Sequence, residues 1–394
     1  MSEAKLQQWD NIIERRHSHA IKWDAMENFI GKADLKPFWV ADMDFKSPIE
    51  VIEALENRAE HGVFGYTYED PEAIEAFSAW AARRHQLKIS SDWVMRSPGV
   101  VTGIGLAIQA FTKPGDAVVI QPPVYAPFSE MTLANERRLI LNPIEIVEDY
   151  AQMNLVHLEQ LFKEEKPKMM IFCNPHNPLG RVWDQETVQK LVALCIAYEV
   201  FLFSDEIHSD LLFKNINFHS AMSVFGGDSQ WVMSAMAPSK TFNIAGLSYS
   251  LLIIPDEERR KRLKKVMDQL HLSVVNCFNE GAAKVAYSKG EPWLDSLMPY
   301  LEENYRCLCE FVVQKMPEVR VCKMEGTYLA WLDFRAWYEN GHALKQFMIH
   351  EAGVALSDGR AFGVQGKGFA RFNFGCPRAV MLDGLESILA ARGN

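Results

Sequence analysis

The chain has 394 residues, 48% hydrophobic and 23% charged, enough to bury a large core without disulfide or metal staples. Its 41 basic and 51 acidic side chains leave a net charge of −10, which argues against a general binder of nucleic acid or anionic membranes. The seven cysteines are scattered with no C-x-x-C pair, so zinc-ribbon and thioredoxin readings fail and free thiols in a reducing compartment are expected.

In chain order, residues 1–20 carry Glu3, Lys5, Asp10, Glu14, Arg15 and Arg16 and no long apolar stretch, so neither a signal peptide nor an anchor is expected there. No apolar run approaches the length of a membrane span. A cytoplasmic, soluble protein is the expectation. A helix is predicted over 100–112, after Ser97-Pro98-Gly99. Short apolar runs at 117–121, 168–173, 200–204, 230–234 and 249–254 read as buried strands. Helical patterns occupy 185–198, with Asp184 as N-cap, and 257–288, as one or two helices. Alternating strands and helices predict an α/β fold with a mostly parallel sheet. Beyond residue 290 the texture changes: helix 293–315, short strands at 319–322 and 327–334, helix 343–351, then a glycine-rich turn and a strand at 369–374. That is the pattern of a smaller α+β domain. The division expected is 46–288 for a large domain, with 1–45 and 289–394 together forming the small one.

Ligands of open α/β sheets sit outside the carboxyl ends of the strands. Three strand ends carry notable residues. After 168–173 comes Asn174-Pro175-His176-Asn177-Pro178-Leu179-Gly180; after 200–204 comes Asp205-Glu206-Ile207-His208; after 230–234 comes Ala237-Pro238-Ser239-Lys240-Thr241-Phe242-Asn243. Singly, Asn177 reads as a turn residue, Asp205 as a cap and Lys240 as a solvated lysine. Together they supply what pyridoxal phosphate chemistry requires: an amine to condense with the aldehyde, a carboxylate to keep the pyridine nitrogen protonated, and an amide for the ring's 3-oxygen. Other chemistries are weaker. Gly103-Ile104-Gly105 lacks the third glycine of a dinucleotide loop, since Ile108 stands there, and the histidines show no metal spacing.

The order N-P-x-N-P-x-G, S-D-E-I-H, S-K-T-F-N-x-x-G resembles the fold-type-I pyridoxal-phosphate enzymes of the aspartate aminotransferase superfamily. The stretches 37–45, 61–66, 326–333 and 368–378 resemble one subgroup, the MalY/PatB-type cystathionine β-lyases, and the likeness runs from about Trp23 to the C-terminus. The resemblance implies a large domain with a mostly parallel sheet plus a smaller α+β domain. It implies that Lys240 holds the cofactor and moves the proton at the substrate's Cα. Asp205 would face the pyridine nitrogen, Asn177 the 3-oxygen, and Tyr125 would stack on the ring. His208 stands where many aminotransferases have tyrosine. The amides of Val100 and Val101, with the Ser239 hydroxyl, would hold the phosphate. Tyr66 would reach the phosphate of a neighbouring subunit, which implies a homodimer. Arg371 would grip the substrate's α-carboxylate as a planar fork. Many aminotransferases carry a phosphate-pairing arginine eight residues after the lysine; here that position is Ser248, which favours the lyases and leaves the phosphate's charge unbalanced. The activity implied is β-elimination from cystathionine, cysteine or another S-substituted cysteine, a small amino acid. A pyridoxal-phosphate aminotransferase of a small amino acid and a regulatory binding protein that retains the cofactor are the alternatives.

Overall fold

The computed structural model describes residues 8–224, 230–272 and 275–393. Glu3 and Lys5, and positions 273 and 274 of the helical pattern expected over 257–288, lie outside the described residues.

Seven strands form the larger sheet, in the spatial order Val94–Ser97, Ser250–Ile253, Val232–Met236, Phe201–Asp205, Met169–Cys173, Ala117–Ile120, Arg138–Leu141. Only Ser250–Ile253 runs against its neighbours; the rest are mutually parallel. The three central strands, Met169–Cys173, Phe201–Asp205 and Val232–Met236, are buried along their whole length, the condition that makes a strand read as a continuous apolar run. The sequence pattern located five of the seven strands. It passed over Val94–Ser97, whose Arg96 and Ser97 break the apolar run, and Arg138–Leu141, an edge strand with exposed ends. The expected strand 200–204 reaches one residue further, to Asp205, so the carboxylate is the last residue of the strand itself. The 257–288 pattern resolves into two helices, Glu257–Gln269 and Asn279–Lys289.

A second sheet of five strands has the order Lys36–Phe38, Val354–Asp358, Phe369–Asn373, Leu329–Asp333, Arg320–Val321. Lys36–Phe38 pairs parallel with Val354–Asp358, so the early part of the chain joins a sheet otherwise built from its last quarter. Val354–Asp358 was not read from the sequence, and the 343–351 pattern divides into a helix Gly341–Gln346 and a wider turn Phe347–Glu351. All seven cysteines are free thiols. No helix among the described residues is long and apolar enough to cross a membrane.

The two sheets are tied beside the 174–180 loop. The Gly180 carbonyl accepts from the amides of Glu325 and Gly326 at 2.8 and 3.2 Å, and Arg181, sandwiched between Tyr150 and Trp183, pairs with Glu325. Gly180 adopts φ +64°, and a Cβ there would lie 2.7 Å from Met324 and 3.0 Å from the Gly326 carbonyl. Gly180→Ala is therefore expected to lower stability by about 2 kcal/mol, from left-handed strain plus this crowding. The check is the midpoint of urea unfolding, and an unchanged midpoint would contradict it.

Candidate active site

Residues from the ends of six of the seven strands converge on one cavity of about 330 Å³. The register explains the convergence. Cys173 pairs with Asp205 and Asp205 with Ala235, so neighbouring parallel strands stop at one level and their loops leave from one edge. Ser250–Ile253 runs the other way, so it presents its N-terminal end there, with Ala245, Ser248 and Tyr249 on the wall.

The cavity gathers eight of the ten residues singled out above: Val100, Val101, Tyr125, Asn177, Asp205, His208, Ser239 and Lys240. Arg371 stands beside it, joined through Asn177. Tyr66 is not in the wall; it is fully exposed on this chain.

Asp205 closes the central strand and is only 4% exposed. One of its oxygens accepts from the Ile207 amide at 3.1 Å. Burial raises its pKa to about 7; the Ile207 amide and the Lys240 charge work against the rise, and Glu206 adds to it. Glu206, the next residue, points away and is held by the hydroxyls of Ser204, Ser220 and Ser234 and by the Ala221 amide. Lys240 sits on the short helix Pro238–Thr241, whose Thr241 donates to buried Asp210 at 2.7 Å. Its Nζ donates to the Ala41 carbonyl at 2.6 Å. Burial lowers its pKa to about 8; Arg371 pushes the same way, and Asp42 and Asp205 oppose. An amine so placed has a far larger neutral fraction near neutrality than an ordinary lysine, which a proton-abstracting base needs.

Asn177 is buried and its Oδ1 accepts from Arg371 Nη1 at 3.0 Å, which turns the amide's NH2 outward as a donor. Arg371, on Phe369–Asn373, also donates from Nη2 to the Trp39 carbonyl at 2.6 Å and to Ser357 Oγ at 3.1 Å, while its buried Nε has no partner. Burial lowers its pKa to about 10, still cationic at neutrality. His208 is buried against Tyr328, and burial, with the charges of Lys240 and Arg371, lowers its pKa to about 3, so the ring is neutral. Tyr125 is half-buried, and burial raises the pKa of its hydroxyl.

The helix Val100–Phe111 starts at the cavity wall. Gly99, its N-cap, supplies no side chain, so the first amides are uncapped and the positive end of the helix dipole faces the cavity. Among the described residues that line the cavity, Lys240 is the only lysine or arginine. Arg96, on the strand leading to this helix, is already held by Glu280 at 2.6 Å and Glu69 at 2.9 Å.

These features fit pyridoxal phosphate. A buried carboxylate near pKa 7 stays ionised when it faces a cationic ring N–H. An uncapped helix start suits a phosphate, and an amide donor and a lysine of lowered pKa lie between them. Sequence reasoning missed the far wall, made by the backbone of residues 39–41. Its only signal was that stretch 37–45 belongs to the resemblance; a carbonyl leaves no mark on a sequence.

The model of the family described as aminotransferase class I and II matches residues 38–388. The chain belongs to that family. It is 41% identical over 386 residues to cystathionine beta-lyase PatB of Bacillus subtilis (strain 168), covering 97% of this chain and 99% of the relative. Its fold superposes with a TM-score of 0.94 on cystalysin from Treponema denticola, which contains a pyridoxal 5'-phosphate cofactor, at 34% identity over 98% of each chain. The PLP-bound C-S lyase of Staphylococcus hominis, complexed with L-cycloserine, gives a TM-score of 0.91 at 32% identity over 97% of each chain. The fold is thus that of the fold-type-I pyridoxal-phosphate enzymes, and within the family the chain groups with the MalY/PatB-type cystathionine β-lyases.

The raised pKa of Asp205 has a measurable consequence. A carboxyl whose folded pKa lies near 7, above the ordinary 3.8, adds stability below the unfolded value that is lost as pH rises through 7. Cofactor-free Asp205→Asn is therefore expected to be more stable than cofactor-free wild type at pH 8, by roughly 4 kcal/mol, and nearly equal to it below the unfolded value of 3.8. Urea unfolding at the two pH values checks this; a variant less stable at pH 8 would contradict it.

Proposed function

We propose that this enzyme, a pyridoxal-phosphate-dependent carbon–sulfur lyase, cleaves cystathionine, cysteine or a related S-substituted cysteine to a thiol, pyruvate and ammonia. The observation that carries the reading is the single cavity in which Lys240, Asp205 and Asn177 converge, with Arg371 bonded to Asn177 at its edge. The likeness to a cystathionine beta-lyase along nearly the whole chain supports β-elimination over transamination.

Pyridoxal phosphate, when bound, supplies an electron sink that makes the substrate's Cα proton acidic and allows the Cβ–sulfur bond to break. The roles of the residues follow from their surroundings. Asp205 would present its buried charge to the pyridine nitrogen. Asn177 would offer its NH2 to the 3-oxygen and Tyr125 would lie on the ring, while neutral His208 lines the site without adding charge. The amides of Val100 and Val101 and the Ser239 hydroxyl would hold the phosphate. Arg371 binds the substrate's α-carboxylate, its partnerless Nε giving it an unused donor. Lys240 would remove the Cα proton, and the departing thiolate would take its proton from Lys240 or Tyr125. Apart from Arg371 beside it, no arginine is offered to the cavity by the described residues that line it, so an amino acid with a dicarboxylate side chain is not favoured.

The working unit is read as a large domain, 46–288, with a small domain from 1–45 and 289–394. Exposed Tyr66 serves the phosphate of a second copy, which makes the enzyme a homodimer. Sedimentation of the active holoenzyme should give a dimer, and an active monomer would refute the shared site.

The deciding test is a panel of S-substituted cysteines assayed for pyruvate and thiol with no keto acid added. Both products are expected, and strict dependence on a keto acid would make the protein a transaminase instead. Lys240→Ala should lose about 1000-fold or more in turnover. It should also lose the visible absorbance of covalently held cofactor; retention of both would refute the role of Lys240. A variant that lost turnover yet still bound a protein partner would point to a regulatory role.

A further inference from the structure

The backbone of residues 39–41 receives both cations of the site. The Ala41 carbonyl accepts from Lys240 Nζ at 2.6 Å and from Tyr328 Oη at 2.9 Å, and the Trp39 carbonyl accepts from Arg371 Nη2 at 2.6 Å. The carbonyls of Val40 and Asp42 are held by Asn373 Nδ2 at 2.5 and 2.7 Å. Behind this stretch stand four charges. Lys22, with no exposed surface, lies 2.7 Å from Asp44 and 3.8 Å from Asp42. Arg15 Nη1 and Nη2 grip the two Asp42 oxygens at 3.0 and 2.9 Å, and Nη1 also reaches Asp44 at 2.6 Å. Trp23 Nε1 adds a bond to Asp44 at 3.1 Å, and Lys22 Nζ one to the Asp42 carbonyl at 3.3 Å.

Burying ions is costly, and an apolar replacement of similar volume often serves stability as well or better. A cluster of this kind at the active-site wall is therefore poorly explained by stability alone. We propose that Arg15, Lys22, Asp42 and Asp44 are positioning residues, which fix the Trp39 and Ala41 carbonyls as the acceptors for Arg371 and for the Lys240 amine whenever it is released from the cofactor. The freed amine then stays in one place between proton abstraction and proton return, rather than rotating among the groups that face it. Those groups are Asp205 at the end of the central strand and His208 after it, Arg371 on the smaller sheet and Tyr328 at its edge, Tyr125 from the loop after Ala117–Ile120, and Asp42 itself. Asp42 has a second effect: its negative charge favours the protonated state of the nitrogen at Lys240. The proposal rests on the roles given above to Lys240 and Arg371.

The experiment uses holoenzyme of wild type, Asp42→Asn, Asp42→Glu and the charge-neutral pair Lys22→Met with Asp44→Asn. Three quantities are read: kcat and KM for an S-substituted cysteine, the pH midpoint of the bound cofactor's visible absorbance, and the melting temperature. In Asp42→Asn, kcat is expected to fall about 10- to 100-fold, as small misplacements of reacting groups do. The absorbance midpoint should fall by about half a unit, because a negative charge near the lysine nitrogen is gone. Asp42→Glu should restore the midpoint. The paired variant should raise KM several-fold through Arg371 and lower kcat. Folded variants with cofactor bound and with wild-type kcat, KM and midpoint would overturn the proposal. So would a lowered melting temperature as the sole change. If the paired variant does not fold, Asp42→Asn decides, since that side chain is 23% exposed and can be replaced without burying a vacancy. A failure of the underlying reading looks different: wild type itself would give no pyruvate, or Lys240→Ala would keep its cofactor absorbance.

Discussion

A buried carboxylate is the constraint around which this site is organised. Asp205 ends the central strand of a sheet covered on both faces, where an ion is costly. Burial holds it near the boundary between its two protonation states, and only a cation opposite would keep it charged at neutral pH. The surroundings hold back from supplying one. Lys240 faces it from the next strand's loop but is itself lowered by burial, and Arg371 is engaged with Asn177, Trp39 and Ser357. The remaining charge is left for a bound group, and the fold's own stability is reduced until that group arrives.

The same economy of cations appears at the helix start. Ser248 stands at the wall where a phosphate-pairing arginine is absent, and Arg96, on the strand that leads to this helix, is paired with Glu280 and Glu69. What remains for an anion is the uncapped amide array of Val100–Phe111 and its dipole, with Ser239 beside it. The cations are instead concentrated on the opposite wall, where Arg371 and the Arg15–Lys22 pair meet the 39–44 segment. The net charge of −10 therefore describes the chain as a whole and says little about the field inside the cavity.

Much of this was legible beforehand, and the reason is local. A strand buried on both faces writes itself as an apolar run, and in a parallel sheet the next residues must lie at the ligand-binding edge. That is how Asn177, Asp205 and Lys240 could be named from three loops and then found around one cavity. Strands that do not meet that condition escaped. Arg138–Leu141 is an edge strand, Val94–Ser97 carries Arg96, and Val354–Asp358 follows a helix that ends in a wider turn.

The sequence by itself determined the α/β class, the strand ends that carry chemistry, and the residue types brought to them, because these depend on periodicity and on side-chain identity. Tertiary structure decided the rest, because it depends on contacts between positions far apart in the chain. The pairing of Lys36–Phe38 with Val354–Asp358 brings residues 39–41 over the cavity. There a backbone carbonyl, which any residue except one with an altered main chain could offer, becomes the acceptor for Lys240. Buried Lys22 and half-buried Arg15, unremarkable in the sequence, become the supports of that wall through Asp42 and Asp44. Hydrogen bonds of this kind are set by where the main chain lies, and only the folded chain fixes that.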